Sequence, residues 1–206
     1  MKRGKFIVFE GIDGCGKGTQ LEMAVSYFFR KDKKTDIYMT REPTRNSSEI
    51  RKRMAEGENV IQDAVWYTNA FFEDRIQHCE EDIKPALARG TDVFCDRYKH
   101  STIAYQSLQG IDLQRLIEIH KKDPRIIIPD LTLIYDCPAE VAFKGRNSDN
   151  PTDVFDKDLE FQRKLRNIYL KMPDLLPKEK IIMWDATLSP EEVFKSTKQS
   201  IERILG

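Results

Sequence analysis

Lys17 closes a run in which Gly11, Gly14 and Gly16 follow the apolar stretch 6–9, Phe-Ile-Val-Phe. Glycines let a backbone turn successive N–H groups inward around an anion, and a lysine adds a point charge for phosphate oxygens. Leu21, Ala24, Val25, Phe28 and Phe29 come next at helical spacing and are read as one buried face. A strand, a glycine loop and a helix N-terminus, in that order, make a phosphate site, and the spacing fits GxxxxGK. The next position is Gly18, where that motif usually carries the Ser or Thr that ligates Mg²⁺. The expected ligand is a nucleoside triphosphate with Mg²⁺. Its cradle is Gly11, Ile12, Asp13, Gly14, Cys15, Gly16, Lys17, Gly18 and Thr19.

Three further groups have types and positions that could do chemistry. Asp13 sits inside the cradle, where a carboxylate repels phosphate; it is either a solvated loop acid or an acceptor for a sugar hydroxyl on a second substrate. Arg41, in Thr40-Arg41-Glu42-Pro43, emerges after a strand-like run. Open α/β sheets bind ligands at the carboxyl ends of their strands, so Arg41 is placed to clamp a phosphoryl group, or else to pair with Glu42 on the surface. Asp96-Arg97-Tyr98 follows Val93-Phe94-Cys95 in the same way. Asp96 suits Mg²⁺ held through water and Arg97 suits bidentate phosphate capture, the alternative being a buried structural Asp–Arg pair. Phe71 and Arg75, four apart, share a helix face; they could stack a base and bond its edge, or belong to the core.

These side chains need a scaffold that brings strand ends together. Apolar runs alternate with amphipathic stretches throughout, which predicts an α/β fold on a parallel sheet. Strands are expected at about 5–10, 36–40, 92–96, 131–136 and 180–184. The longest helix is expected at about 60–88, with Ile61, Ala64, Val65, Thr68, Phe72, Ile76, Cys79, Ile83 and Leu87 inward and Arg89-Gly90 as its stop. A last helix, near 190–205, opens with Ser189 as cap and Pro190 as first residue. Residues 145–156 are polar and turn-rich between helical stretches, which predicts a lid over the nucleotide or a plain surface loop.

Whole-chain properties bound the answer. At 206 residues a single domain spanning 1–206 is expected. The 34 basic and 34 acidic residues cancel, so no global field recruits nucleic acid or a membrane surface. Cys15, Cys79, Cys95 and Cys137 are scattered without a CxxC and are expected as reduced thiols. No apolar run approaches the roughly 20 residues of a membrane helix, and residues 1–5 are too short and charged for a signal peptide; a cytoplasmic protein is expected.

Taken together these stretches resemble the thymidylate kinases over essentially the whole chain. The marks are Phe-Glu-Gly-Ile-Asp-Gly at 9–14, Thr-Arg-Glu-Pro at 40–43, Phe71 with Arg75, and Ile-Lys-Pro-Ala-Leu at 83–87. They continue with Asp96-Arg97-Tyr98, Ser101-Thr102-x-Ala104-Tyr105-Gln106 and Pro-Asp-Leu-Thr-Leu at 129–133. The resemblance implies a three-layer P-loop NTPase fold with a five-stranded parallel sheet and a short lid. It implies transfer of the ATP γ-phosphoryl group to dTMP, giving dTDP for dTTP synthesis, in a homodimer. Lys17 and the loop amides would hold ATP, Asp13 would face the deoxyribose 3′-hydroxyl, and Phe71 would stack on thymine while Arg75 bonds its O4. Arg97 would bind the monophosphate with Arg41 near it, and Tyr105, with Ser101 and Gln106 in the same stretch, would line the acceptor pocket.

The chain departs from that pattern in two places. Gly18-Thr19 replaces a pair of hydroxyl residues, and Gly-Lys-Gly-Thr-Gln is instead what adenylate kinases show. The lid reads Asp153-Val154-Phe155-Asp156 rather than Asp-Arg-x-Glu, and Gly14 stands where some members carry a catalytic arginine. Transition-state charge is therefore assigned to Lys17, Arg97 and a lid-entry cation, Arg146 or Lys144. Another nucleotide kinase acting on dUMP or AMP, and a non-catalytic nucleotide-binding module, are the competing readings.

Overall fold

The computed structural model of the protein describes residues 2–32, 34–56, 63–145 and 159–206. Five parallel strands form one sheet: β1 (Phe6–Glu10), β2 (Ile37–Arg41), β3 (Asp92–Asp96), β4 (Leu131–Asp136) and β5 (Ile181–Asp185). Their order is β2-β3-β1-β4-β5, and each lies within one residue of its expected bounds. All five residues of β1 are buried, as a central strand covered on both faces requires. Phe6 and Val8 join the core cluster that includes Ile76, Cys79 and Ile83, whereas Ile7 and Phe9 join the one that includes Leu21, Phe28 and Phe94. Period-two alternation thus sends successive β1 residues to opposite layers.

Helix α1 (Lys17–Lys31) follows the glycine loop, α2 (Ser48–Glu56) follows β2, and α3 (Ala64–His78) leads to α4 (Lys84–Ala88) through a π-helical turn at Cys79–Ile83. Pro85 explains that turn. It has no N–H for the Glu81 carbonyl and its ring crowds that oxygen, so the helix widens instead of breaking. The rod therefore continues to Ala88 and stops at Gly90, whose φ of 92° only glycine adopts cheaply. It begins at Ala64; the expected start at 60, and Ile61, lie outside the described residues. Two inward assignments fail. Val65 is 61% exposed and Phe29 66% exposed, because each lies about 100° around its helix from the next core residue, Ala64 or Phe28.

Helices α5 (Lys99–Leu108) and α6 (Leu113–Lys122) pack beside α3, and α7 (Ala139–Gly145), α8 (Leu159–Leu170) and α9 (Met172–Leu175) lie between β4 and β5. Helix α10 (Pro190–Leu205) opens as expected: Ser189 and Glu192 form a reciprocal capping box, with Pro190 in the first turn. All four cysteines are free and buried. Among the described residues no helix is long and apolar enough to cross a membrane. The expected lid lies outside the described residues beyond Gly145.

Candidate active site

Strand register decides which residues meet. Phe9 and Arg41 both lie opposite Asp96, so the ends of β1, β2 and β3 are level, and the chain leaves β1 where its neighbours β3 and β4 lead away on either side. That is the crevice in which open α/β sheets bind ligands. Gly11, Gly14 and Gly16 take φ values of 141°, 84° and 87°. A Cβ on Gly11 would lie 2.6 Å from the Tyr135 carbonyl oxygen, so the loop needs glycine there on two counts. Helix α1 has no side-chain cap and no acid in its first turn, leaving its positive end open to an anion. Ile12 and Cys15 turn their side chains into the core, so only their main chain is available to a ligand. Burial pushes the Cys15 thiol up, which keeps it inert.

Asp13 is the centre of the polar cluster. Its Oδ1 accepts from Lys17 Nζ at 3.2 Å and from Arg97 Nη2, while its Oδ2 accepts from the Tyr105 hydroxyl at 2.6 Å. Arg97 therefore pairs with the loop carboxylate and not with Asp96 beside it. Its backbone sits at φ 68°, uncommon outside glycine, and its Nη1 donates to Ser101 Oγ at 3.0 Å. Ser101 and Tyr105, four apart, lie on one face of α5, and Arg97, in the turn before that helix, reaches both through its side chain, with Nη2 3.4 Å from the Tyr105 hydroxyl. Gln106 is buried and donates to Gln109 at 2.9 Å, outside this group. Asp96 ends β3 with its Oδ1 buried and without a hydrogen-bond partner among the described residues. Gly18 has open space: an added Cβ would find no atom within 4 Å. Thr19 is exposed.

Residue type and spacing gave no role to several residues that hold this cluster. Glu10, fully buried at the end of β1, accepts from Tyr98 N at 2.7 Å, Ser101 Oγ at 2.8 Å and Tyr169 OH at 2.9 Å. A carboxylate against the N-terminus of α5 anchors the turn that carries Arg97. Glu42, after β2, points inward to Arg75 and to His78 Nδ1 at 3.1 Å, leaving its neighbour Arg41 exposed at the strand end. Asp74 ties the following loop to α3 by accepting from Thr44 N at 2.9 Å and from Ser47. The only sequence signals were an acid ending an apolar run and a Glu-Pro pair, neither of which names a partner. Phe71 is half-buried, stacks on Tyr67 at 5.9 Å and joins Tyr105 in one small apolar cluster. Arg75, one turn on, is buried with its guanidinium bonded to Glu42, Thr102 and His120. Lys144 is exposed on α7, and Arg146 lies outside the described residues.

A phosphate cradle, a carboxylate shared by two cations and an aromatic shelf now stand side by side. A sequence model described as thymidylate kinase matches residues 9–197. The chain belongs to the thymidylate kinase family. It is 37% identical over 185 residues to a probable thymidylate kinase of Pyrococcus horikoshii, covering 87% of this chain and 88% of that one. It is 35% identical over 201 residues to a thymidylate kinase of Ligilactobacillus salivarius, covering 94% and 95%. The family's fold expectation, five parallel strands between helical layers, is met. Among the described residues no group of three or more His, Cys, Asp or Glu could hold a metal ion.

Proposed function

We propose that this thymidylate kinase family member transfers the γ-phosphoryl group of ATP to dTMP, giving ADP and dTDP. The carrying observation is that Lys17 and Arg97 meet on one carboxylate, Asp13. Lys17 belongs to the donor cradle and Arg97 to the acceptor side, so Asp13 marks the seam between the two substrates. Phosphoryl transfer asks mainly for alignment and charge neutralisation. An acceptor phosphate oxygen forms the new bond to the γ-phosphorus as the bond to the β–γ bridging oxygen breaks, and the electron pair leaves on ADP. Lys17 and the Gly14, Gly16 and Gly18 amides hold the donor oxygens. Arg97, joined by Arg41 at the neighbouring strand end, holds the acceptor phosphate. Asp13, bonded to Tyr105, takes the deoxyribose hydroxyl, and Phe71 offers its ring to the base.

The Asp96 Oδ1 that lacks a partner fits a water of hydrated Mg²⁺, which would neutralise charge on the β- and γ-phosphate oxygens. Gly18 has no hydroxyl at the position where the motif usually supplies a direct ligand for the ion. The lid cation, Arg146, and a homodimeric assembly belong to the same proposal through the family resemblance. A coupled ADP-release assay with ATP-Mg²⁺ and a panel of nucleoside monophosphates tests it. The expected best acceptor is dTMP; faster turnover of AMP or CMP overturns the reading. Light scattering of the purified chain at the monomer mass overturns the dimer.

A further inference from the structure

We propose that His120 is a positioning residue that fixes Arg75 so that one guanidinium N–H is reserved for the 4-carbonyl of the acceptor pyrimidine. The inference rests on the dTMP reading and adds to it a residue from α6 that no motif marks. Four side chains from three elements converge on Arg75. From the turn after β2, Glu42 Oε2 lies 2.8 Å from Nε and 2.7 Å from Nη2. From α5, Thr102 Oγ1 lies 3.0 Å from Nη2, and from α6, His120 Nε2 lies 2.7 Å from Nη1. The Tyr98 ring, at the start of α5, lies beside the cation with its centroid 5.2 Å away.

The protonation of His120 follows from its neighbours. A guanidinium only donates, so His120 Nε2 must present a lone pair to Arg75. The Leu116 carbonyl, 2.7 Å from Nδ1, only accepts, so Nδ1 must carry the hydrogen. The ring is thereby a neutral Nδ1–H tautomer, oriented by Phe72 against it at 5.3 Å and 67°. Burial first, and the Arg75 charge second, hold its pKa well below the ordinary histidine value, in keeping with that assignment. A protonated ring would set N–H against N–H.

A guanidinium has five N–H bonds. Nε–H and the two on Nη2 face Glu42 and Thr102, and one on Nη1 faces His120; the second Nη1–H has no partner among the described residues. A buried donor left over in this way rewards a carbonyl and rejects an amino group. Phe71, one turn back on α3 from Arg75, lies in the same small cluster as Tyr105, whose hydroxyl donates to Asp13.

The test compares dUMP with dCMP as acceptors, which differ in the 4-carbonyl or 4-amino group and in the proton on the adjacent N3, in the whole enzyme with ATP-Mg²⁺. His120→Asn can still reach the Leu116 carbonyl but stops short of Arg75, whereas His120→Gln reaches Arg75 with its amide oxygen. The Asn variant is expected to lower the dUMP-to-dCMP ratio of kcat/KM at least about tenfold and to raise KM for dTMP, with KM for ATP unchanged. The Gln variant is expected to keep that ratio within about threefold of the parent. An Asn variant with the parental ratio, or Gln and Asn variants that lose it equally, overturns the role of His120. ¹⁵N spectra of the unmodified protein at neutral pH give a check independent of folding: a protonated or Nε2–H ring also overturns it. A parent enzyme without dTMP turnover would instead overturn the functional reading, and the two failures are distinguishable.

Discussion

Asp13 shows how one side chain can serve an empty and a filled site. Its charge is matched by Lys17 and Arg97; in the proposed reaction, phosphates take over those cations and the carboxylate is released toward the sugar. Removing Arg97 should therefore cost a charge-assisted contact to the acceptor phosphate. Arg97→Ala is expected to fold, by circular dichroism, and to lose at least about tenfold in kcat/KM for dTMP. Near-parental kinetics would make the residue structural. Gly18 gives the opposite case, a residue whose replacement should gain something. It lies in the first turn of α1, its φ is not in the left-handed region, and a Cβ there touches nothing within 4 Å. Gly18→Ala is expected to raise stability by up to about 1 kcal/mol in urea unfolding. Gly18→Ser adds a hydroxyl where P-loops ligate Mg²⁺, so it should lower the Mg²⁺ concentration that half-saturates the reaction. An unchanged Mg²⁺ requirement would place the ion out of reach of this turn.

At the level of elements, helix ends carry most of what matters here. The N-terminus of α1 has no side-chain cap, whereas that of α5 is closed by the buried Glu10 carboxylate and that of α10 by a solvent-exposed capping box. In the proposed reaction the first end binds phosphate and the second positions Arg97, while the third only stabilises the fold. Ser189→Ala removes the acceptor for the Glu192 N–H and is expected to cost about 1 kcal/mol of unfolding free energy with kcat and KM unaltered. A change in ATP affinity in that variant would mean that the start of α10 communicates with the nucleotide. The α3–α4 rod is instead defined in its middle. The π-helical turn ahead of Pro85 preserves the helix direction, so Phe71, Arg75 and Ile83 stay on one continuous support.

For the molecule as a whole, a buried charge cluster couples the end of the sheet to pH. Glu179, before β5, accepts from Lys99 Nζ at 2.6 Å and His100 Nε2 at 3.1 Å. Burial alone would raise its pKa, but those two partners outweigh burial and bring it down to about 2. In the unfolded chain the group titrates near about 4.3, so between these values the unfolded state binds the extra proton. Its contribution to stability is thus complete above about pH 4.5 and is lost as pH falls toward 2. Urea unfolding across that window should show stability dropping with acid, and Glu179→Gln should flatten the slope while lowering stability at neutral pH. An unaltered slope would remove Glu179 from the account. Residue type and spacing alone were enough for the five strands, the glycine cradle and the α10 cap. Each of these depends on interactions within a few residues: period-two burial, left-handed turns, a capping box. Folding decided the rest. That Arg97 chooses Asp13 over adjacent Asp96, that Glu42 turns inward to Arg75, and that His120 supplies the last lone pair all follow from packing β2, α3, α5 and α6 around one point. Partners 30 to 90 residues apart leave no periodicity in the chain, because only the tertiary structure sets which buried donor finds which acceptor.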